Sequence, residues 1–243
     1  MIVSLCAHSE AVSELAAARV ADLLTAHPAA VLGLPTGRTP IDMYAELVAR
    51  HHEAGLDFSS ATTFNLDEFV GIGVDHPGSY HAYMADHLFS KVNVTPARVH
   101  LPNGLAPDLD LECERYEVAI ADAGGLDLQV LGIGANGHIG FNEPADGLSA
   151  RTHRVTLLEE SREGNAVFFG GDPAQVPAEA LSMGMGTILK ARRVLLLATG
   201  AGKRDAIEAA VRGPVTTRVP ASFLQLHPSV EILCDAEAAA GLR

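Results

Sequence analysis

Short apolar runs alternate with longer amphipathic segments along most of this 243-residue chain. A helix that returns the chain across a sheet leaves successive strands parallel, so this alternation favours βαβ units. The predicted fold class is therefore α/β, with a doubly wound, mainly parallel sheet flanked by helices. We predict strands at 30–34, 61–66, 126–133, 154–158, 193–199 and 230–234, and helices at 9–26, 40–53, 79–89, 109–122, 202–211 and 221–226.

The chain shows no internal repeat, linker or change of composition, which predicts a single domain over residues 1–243. One stretch departs from the regular pattern, because residues 159–177 contain two prolines and repeated glycines without a sustained period. A long irregular stretch inside a compact domain is commonly a binding loop or a lid. We therefore expect a mobile lid around residues 151–183.

The charge of the chain argues against two classes of partner. The sequence has 17 Lys and Arg against 30 Asp and Glu, a formal net charge of −13 with histidine neutral. Nucleic acids and anionic membranes bind cationic surfaces, so we expect neither as a partner. No uninterrupted apolar run approaches the ~20 residues that span a bilayer. Cys6, Cys113 and Cys234 form no Cys-x-x-Cys pair and no signal peptide is recognised, which favours reduced thiols in a cytoplasmic protein.

Ligands of such sheets bind beyond the carboxyl ends of the strands, which directs attention to four loops. The first loop has Thr36, Gly37, Arg38 and Thr39 between a predicted strand and a predicted helix. Free N–H groups at the helix start, two hydroxyls and the Arg38 guanidinium suit an anion. A plain strand-to-helix turn stays the alternative. A Gly-rich turn that leads into Lys203 is a second, weaker candidate for an anion contact.

The two remaining loops carry groups that move protons. Asp67 and Glu68 directly follow a predicted strand, where a carboxylate is placed to act as a general base, and a helix cap or solvated turn is the alternative. Asn136, His138 and Glu143 lie within eight positions of a Gly-rich loop. An imidazole beside a carboxylate and an amide suits proton transfer near neutral pH.

With these loops in view, the sequence resembles the glucosamine-6-phosphate deaminase (glucosamine-6-phosphate isomerase) family. The matching segments are, in order, LGLPTGRTP, TFNLDEFVG, LGIGANGHIGFNEP, TGAGK and LQLHP, and they extend over nearly the whole chain. The resemblance implies a Rossmann-like α/β fold and an enzyme of the hydrolase or isomerase class without a cofactor. Its implied reaction converts glucosamine 6-phosphate and water to fructose 6-phosphate and ammonia, in amino-sugar catabolism.

The resemblance also implies roles for individual residues. Asp67 is implied as the base that moves the C2 proton of the sugar. His138 is implied as the acid and base that opens the pyranose ring, with Glu143 and Asn136 as its partners. These roles agree with the chemistry of an aldose–ketose shift, which needs one group for each of the two proton transfers. We expect no metal, since His138, Glu143 and His153 have no recognised ligand spacing.

The implied phosphate site departs from the family pattern at two positions. Family members usually have an arginine where this chain has Val167, and they commonly have a glycine where this chain has Arg38. We hypothesise that Arg38 supplies the missing guanidinium, with the rest of the site formed by Thr36, Gly37, Thr39 and Lys203. Arg162, which is closer in sequence to Val167, is a second candidate.

The expected assembly is a monomer or a small homo-oligomer. Some family members are hexamers that N-acetylglucosamine 6-phosphate activates through basic and hydroxyl residues after the NEP motif and through a longer C-terminal extension. In this chain the corresponding positions are Ala145, Asp146, Gly147, His153, Arg154 and Val155, and the sequence ends at Arg243. We therefore expect no allosteric site for that sugar phosphate.

Three other functions stay open. A 6-phosphogluconolactonase-like hydrolase would share the fold and the anion loop without needing a base at C2. A related amino-sugar isomerase or deaminase with a different or unphosphorylated substrate is consistent with Val167. A non-catalytic sensor of sugar phosphates is the third, although the set of Asp67, His138 and Glu143 argues against it.

Overall fold

The computed structural model describes residues 1–242, which form ten strands and seven α-helices. The strands are β1 (Ile2–Cys6), β2 (Val31–Leu34), β3 (Thr62–Asn65), β4 (Asp67–Phe69), β5 (Val99–His100), β6 (Leu128–Gly132), β7 (His153–Thr156), β8 (Glu179–Ser182), β9 (Val194–Ala198) and β10 (Val230–Asp235). The helices are α1 (Ser9–Ala26), α2 (Ile41–Ala54), α3 (Tyr80–Met84), α4 (Leu109–Asp122), α5 (Glu159–Asn165), α6 (Met185–Leu189) and α7 (Arg204–Arg212). A π-helical turn at Ala85–Phe89 continues α3, and 3-10 turns lie at Pro96–Arg98, Ala166–Phe169, Pro173–Gln175, Ala201–Lys203, Pro220–Leu226 and Ala240–Leu242.

Seven of the strands form one parallel sheet in the order β1-β10-β9-β6-β2-β3-β5. Two hydrophobic cores lie on its two faces, one built with α1, α2 and α3 and the other with α4, α6 and α7. The central strands β2 and β9 are buried along their whole length, as strands covered on both faces must be. The predicted doubly wound α/β fold is confirmed.

Most predicted elements lie close to their observed bounds. Helices α1 and α4 span the predicted residues, whereas the helix predicted at 79–89 is divided into α3 and its π-helical continuation. Strand β1 was not predicted. It is an edge strand of the sheet, and its residues Ile2 and Leu5 are exposed, so it lacks the pattern of a buried strand.

A second, antiparallel sheet in the order β4-β8-β7 was also not predicted. The chain passes from one sheet to the other at Leu66, whose N–H donates to the carbonyl of Leu34 and whose carbonyl accepts from the N–H of Met183. Strand β4 has three residues and β8 has four, lengths at which an apolar pattern does not distinguish a strand from a loop.

The second sheet contains both ends of the segment that was expected to be a lid. Its predicted range, 151–183, includes β7 and β8, which pair with each other and anchor the two ends of the segment to β4. Residues 157–178, here named the covering segment, lie between these strands and contain α5 and two 3-10 turns. The mobility of this segment stays a prediction.

Candidate active site

The four loops selected from the sequence meet at one edge of the parallel sheet. They follow β2, β3, β6 and β9, which are neighbours in the sheet, so the carboxyl ends of these strands lie side by side. Together the loops line a cavity of about 700 Å³. Its wall contains every predicted site residue except Glu143, namely Thr36, Gly37, Arg38, Thr39, Asp67, Asn136, His138 and Lys203.

Asp67 lies on the cavity wall where β3 gives way to β4. The residue is only 5% exposed. Burial, and then the charge of the neighbouring Glu68, raise the pKa of the Asp67 carboxyl to about 8. The group therefore gains and loses a proton close to neutral pH, as a residue that shuttles a proton between two carbons must do.

Glu68 has a different role from Asp67, because neighbouring side chains on a strand point to opposite faces. Its buried carboxylate accepts hydrogen bonds from the backbone N–H groups of Phe69, Tyr80 and His81 at 2.8, 3.0 and 3.0 Å. The Nδ1 atom of His81 lies 2.8 Å from the same carboxylate. Glu68 thus joins the start of α3 to β4, and Asp67 is the carboxylate that faces the cavity.

His138 and Glu143 lie against each other in the loop that follows β6. The Nδ1 atom of His138 lies 3.1 Å from Oε2 of Glu143. Asn136 connects the two residues, since its Nδ2 donates to the same Oε2 at 3.0 Å and its Oδ1 accepts from the backbone N–H of His138 at 3.2 Å. The loop therefore holds the imidazole between a carboxylate on its inner side and the cavity on its outer side.

The environment of Glu143 keeps its carboxylate ionised. Burial opposes ionisation, but the hydrogen bond and charge of His138, together with hydrogen bonds from Ser161 and Asn136, bring the pKa of Glu143 below its ordinary value. An ionised carboxylate that faces Nδ1 favours the tautomer with a proton on that nitrogen. The Nε2 atom is then left to exchange a proton with a bound molecule.

Glycine at position 134 allows the His138 ring to lie against the turn. A Cβ at Gly134 would be 2.3 Å from Cε1 of the imidazole, a distance at which two non-bonded carbons overlap. In the first loop, Gly37 has a φ of +91°, which glycine adopts far more readily than other residues. Its carbonyl accepts a hydrogen bond from the Tyr83 hydroxyl at 2.6 Å, which fixes the loop to α3.

Arg38 and Lys203 form the cationic part of the cavity. Both residues line the cavity, and burial, followed by the positive charge of Arg38, lowers the pKa of Lys203. Within residues 1–242, neither side chain forms an ion pair with a carboxylate. Two such cations beside the start of α2 suit a doubly charged group such as a phosphate.

Arg162, the arginine of the covering segment, is not part of the cavity wall. Arg162 donates to the main-chain carbonyls of Val176 and Pro173 at 3.2 and 3.0 Å, so its guanidinium holds the segment together. Val167 is 58% exposed and is not part of the cavity wall. Of the two arginines considered as replacements for a cation at position 167, Arg38 is the one that faces the cavity.

The cavity wall also contains residues that were not selected from the sequence, among them Tyr80, Ser161 and Asn165. The hydroxyl of Ser161, on α5, donates to Oε1 of Glu143. The hydroxyl of Tyr80, on α3, donates to Oδ1 of Asn165 at 3.1 Å. No motif marked Ser161 or Asn165, and the only signal was the irregular stretch in which they lie.

Neither a metal cluster nor a membrane-crossing helix occurs in residues 1–242. No three His, Cys, Asp or Glu side chains of this part of the chain are grouped so that they could hold a metal ion. His153 lies on β7 with its Nδ1 3.1 Å from the carbonyl oxygen of Arg151. None of the helices described is both long and apolar enough to cross a bilayer.

The sequence profile of a known family matches most of the chain. The family is described as glucosamine-6-phosphate isomerases/6-phosphogluconolactonase, and the match covers residues 6–232. A glucosamine-6-phosphate deaminase of Halothermothrix orenii is 52% identical over 227 residues, which are 93% of this chain and 94% of that protein.

Two solved structures with the same architecture differ in how similar they are to this chain. A monomeric glucosamine-6-phosphate deaminase matches with a TM-score of 0.96 at 45% identity, and the match covers 99% of this chain and 100% of that one. A 6-phosphogluconolactonase of Thermotoga maritima matches with a TM-score of 0.75 at 19% identity, over 96% and 98% of the two chains. The second likeness concerns the fold alone.

Proposed function

The chain belongs to the family of glucosamine-6-phosphate isomerases and 6-phosphogluconolactonases, and we propose that within this family it is a glucosamine-6-phosphate deaminase. Relatives with that name are about half identical to it over nearly their whole length, and a structure with that name is almost superimposable. The observation that carries the proposal is the presence of Asp67 and the His138–Glu143 pair in one cavity with two cations.

The first step of the proposed reaction is binding of the phosphate. Arg38 and Lys203 supply two positive charges, and Thr36, Gly37 and Thr39 surround them in the loop that begins α2. Because this loop is fixed to the parallel sheet, the sugar would be held at a defined distance from Asp67 and His138. The arrangement supports a phosphorylated substrate in spite of the missing cation at Val167.

Ring opening is assigned to His138. The imidazole moves a proton from the C1 hydroxyl to the ring oxygen, which breaks the C1–O5 bond and leaves an aldehyde at C1. Glu143 orients the ring and stabilises its charged form, while Asn136 holds both residues in place. This assignment uses the one imidazole of the cavity wall.

Isomerisation and deamination are assigned to Asp67. The carboxylate takes the proton from C2 and returns it to C1. A second proton passes from the amine to the C1 oxygen, so the aldehyde becomes a hydroxymethyl group and an imine is left at C2. Water adds to this imine, ammonia leaves, and fructose 6-phosphate remains. Atoms and charges balance without an external oxidant or reductant.

The names of the relatives indicate the class of enzyme. Their names describe a deaminase and an isomerase of amino-sugar phosphates, and the hydrolase class that the sequence analysis also gave is not supported by them. The lactonase alternative rests on structures that are less than a quarter identical, which share the fold. The cytoplasmic location stays a prediction.

We further propose a monomer or small oligomer without activation by N-acetylglucosamine 6-phosphate. The solved deaminase that matches this chain end to end is described as monomeric. After Glu143, the side chain of Asp146 pairs with Arg218, and Ala145 exchanges two hydrogen bonds with Thr217. Asp146 and Ala145 therefore make their contacts within the chain, which supports the absence of a regulatory site in this stretch.

A turnover assay tests the proposed function. The protein is incubated with glucosamine 6-phosphate, glucosamine and 6-phosphogluconolactone in parallel, and ammonia, ketose and acid are followed. Ammonia and ketose in equal amounts from the phosphorylated amino sugar alone are expected, and the variant Asp67→Asn serves as the inactive control. Lactone hydrolysis without ammonia release would overturn the proposal in favour of the lactonase alternative.

A further inference from the structure

Both oxygens of the Glu143 carboxylate are used, but by different parts of the chain. Oε2 faces His138 at 3.1 Å and accepts from Asn136 at 3.0 Å, and all three residues belong to the same loop. Oε1 accepts a hydrogen bond from the hydroxyl of Ser161, which lies on α5 in the covering segment, 18 residues away in sequence. The orientation of the carboxylate thus depends on a residue outside its loop.

Ser161 is well placed for this contact. The residue is 5% exposed, and it is the first-turn residue of α5 that points inwards while Glu159 and Glu160 are exposed. Its main-chain carbonyl accepts a hydrogen bond from Nδ2 of Asn165 at 2.8 Å. The buried hydroxyl is therefore held on a fixed helical turn directly against the carboxylate.

The same helix makes a second contact with the site. Oδ1 of Asn165 accepts the hydroxyl hydrogen of Tyr80 at 3.1 Å, and Tyr80 is fixed to β4 because its N–H donates to Glu68. Helix α5 is thus connected to Glu143 on one side of the cavity and to the strand that carries Asp67 on the other. The position of α5 therefore decides whether Glu143, the partner of His138, accepts the hydrogen bond from Ser161.

We propose that Ser161 is a positioning residue for the deaminase reaction, which holds Glu143 in the orientation that faces His138 only while the covering segment is seated on the cavity. This inference rests on the proposed function. It assigns a specific chemical consequence to the covering segment. Without the Ser161 hydroxyl, Oε1 loses its donor, and the carboxylate, held by Asn136 alone, turns away from Nδ1 more readily. Ring opening, the step assigned to His138, would then slow, whereas phosphate binding at Arg38 would not change.

The test compares kcat and KM of the wild type with those of Ser161→Ala and Ser161→Thr, from pH 4 to pH 9. Loss of a hydrogen bond to a charged group lowers kcat about ten- to a hundredfold in Ser161→Ala, with KM for glucosamine 6-phosphate within about twofold of the wild type. Threonine keeps the hydroxyl, so Ser161→Thr recovers most of kcat. The variant Glu163→Ala, on the exposed side of the same helix, is the matched control and keeps the wild-type constants.

The pH profile distinguishes positioning from a general structural effect. In Ser161→Ala the carboxylate form of Glu143 has lost a donor that stabilised it, so the lower acid limb of kcat, which Glu143 sets, moves to higher pH, while the limb that Asp67 sets near pH 8 stays in place. The other ionisable residues on the cavity wall are unchanged in all variants: Arg38, Asp42, Asp67, Tyr80, His138, Glu160 and Lys203. A kcat of Ser161→Ala within about twofold of the wild type overturns the proposal, and so does a lower kcat with an unshifted acid limb.

A thermal-unfolding cycle tests the contact without turnover. The midpoints of Ser161→Ala, Glu143→Ala and the double variant are compared with that of the wild type. If the hydroxyl donates to the carboxylate, the midpoint of the double variant falls by less than the sum of the decreases in the two single variants. Decreases that simply add would show that no such contact exists. Wild-type protein that releases no ammonia would instead contradict the proposed function, so the two failures are distinguishable.

Discussion

The Nδ1 atom of His138 lies 3.1 Å from Oε2 of Glu143, five residues further along the same loop. Such a short loop closes on itself because Gly134, Gly137 and Gly140 permit its turns, and two of them have a positive φ. The acid–base pair is therefore a property of one segment, whereas Asp67 and the cations are brought to it by neighbouring strands. This division leads to separate predictions for each part of the cavity.

The variant Gly134→Ala is expected to lose activity without losing the fold. Its Cβ would lie 2.3 Å from Cε1 of His138, so the imidazole must leave its place against Glu143. We expect kcat to fall by about a hundredfold or more, since a catalytic group displaced by about 1 Å loses that much. Steady-state kinetics and a thermal melt measure the two effects. Gly147→Ala is the control, because a Cβ there meets no atom within 4 Å; equal kinetics of the two variants would contradict the prediction.

Arg38 is expected to determine the preference for a phosphorylated sugar. In Arg38→Ala the cavity retains Lys203 as its remaining cation at the phosphate, so KM for glucosamine 6-phosphate rises about ten- to a hundredfold, the loss typical of a charge-assisted hydrogen bond. Unphosphorylated glucosamine, tested in parallel, is expected to release no ammonia with either protein.

Arg98→Ala, at a site outside the cavity wall, is the control for the loss of one positive charge. An unchanged KM of Arg38→Ala would show that Arg38 does not replace the cation missing at Val167.

The four functional loops were predictable because their positions follow from the order of the strands. An apolar run followed by Asp67 or by Asn136 and His138 marks the carboxyl end of a buried strand, and such ends share one edge in a parallel sheet. The residue types alone did not distinguish Asp67 from Glu68, because their difference arises from the face of β4 on which each side chain lies, and the choice of Asp67 rested on the family resemblance.

The contacts of the covering segment were not predictable in this way. Ser161 and Asn165 act through tertiary contacts with Glu143 and Tyr80, and their own segment has no apolar period that fixes its position. The second sheet was missed for a similar reason, since strands as short as β4 are defined by pairing with a distant partner. Local sequence therefore determined the scaffold, and long-range contacts completed the site.

The dependence of rate on substrate concentration is expected to be hyperbolic. The stretch that carries the regulatory residues of hexameric relatives has Asp146 paired with Arg218 here, and two of its positions are Ala145 and Gly147. Initial rates are measured with and without N-acetylglucosamine 6-phosphate at several substrate concentrations. A sigmoidal curve that the acetylated sugar phosphate abolishes would refute this prediction.

The acid limb of kcat/KM is expected to depend on Glu68. Burial raises the pKa of Asp67 first, and the charge of Glu68 raises it further to about 8, so the base form accumulates as the pH rises through that value. In Glu68→Gln the like charge is absent, and the acid limb moves to lower pH. The ionisation of the substrate amine stays the same in both proteins, so only the enzyme group accounts for a difference. Superimposable profiles would show that Glu68 does not act on Asp67.

Asp67 is also expected to lower the stability of the protein, by an amount that depends on pH. Its pKa is raised from 3.8 to about 8 on folding, so at pH 3 the carboxyl is neutral in both states and costs nothing. Above pH 4 the unfolded state releases the proton that the folded state retains, and the cost grows until the pH reaches about 8. Asp67→Asn removes this cost, so its gain in unfolding free energy is larger at pH 8 than at pH 5 by roughly 1–4 kcal/mol. Urea unfolding at both pH values measures the difference, with the exposed Asp75→Asn as the control; a gain that is equal at the two pH values would show that the Asp67 carboxyl is not held protonated by the fold.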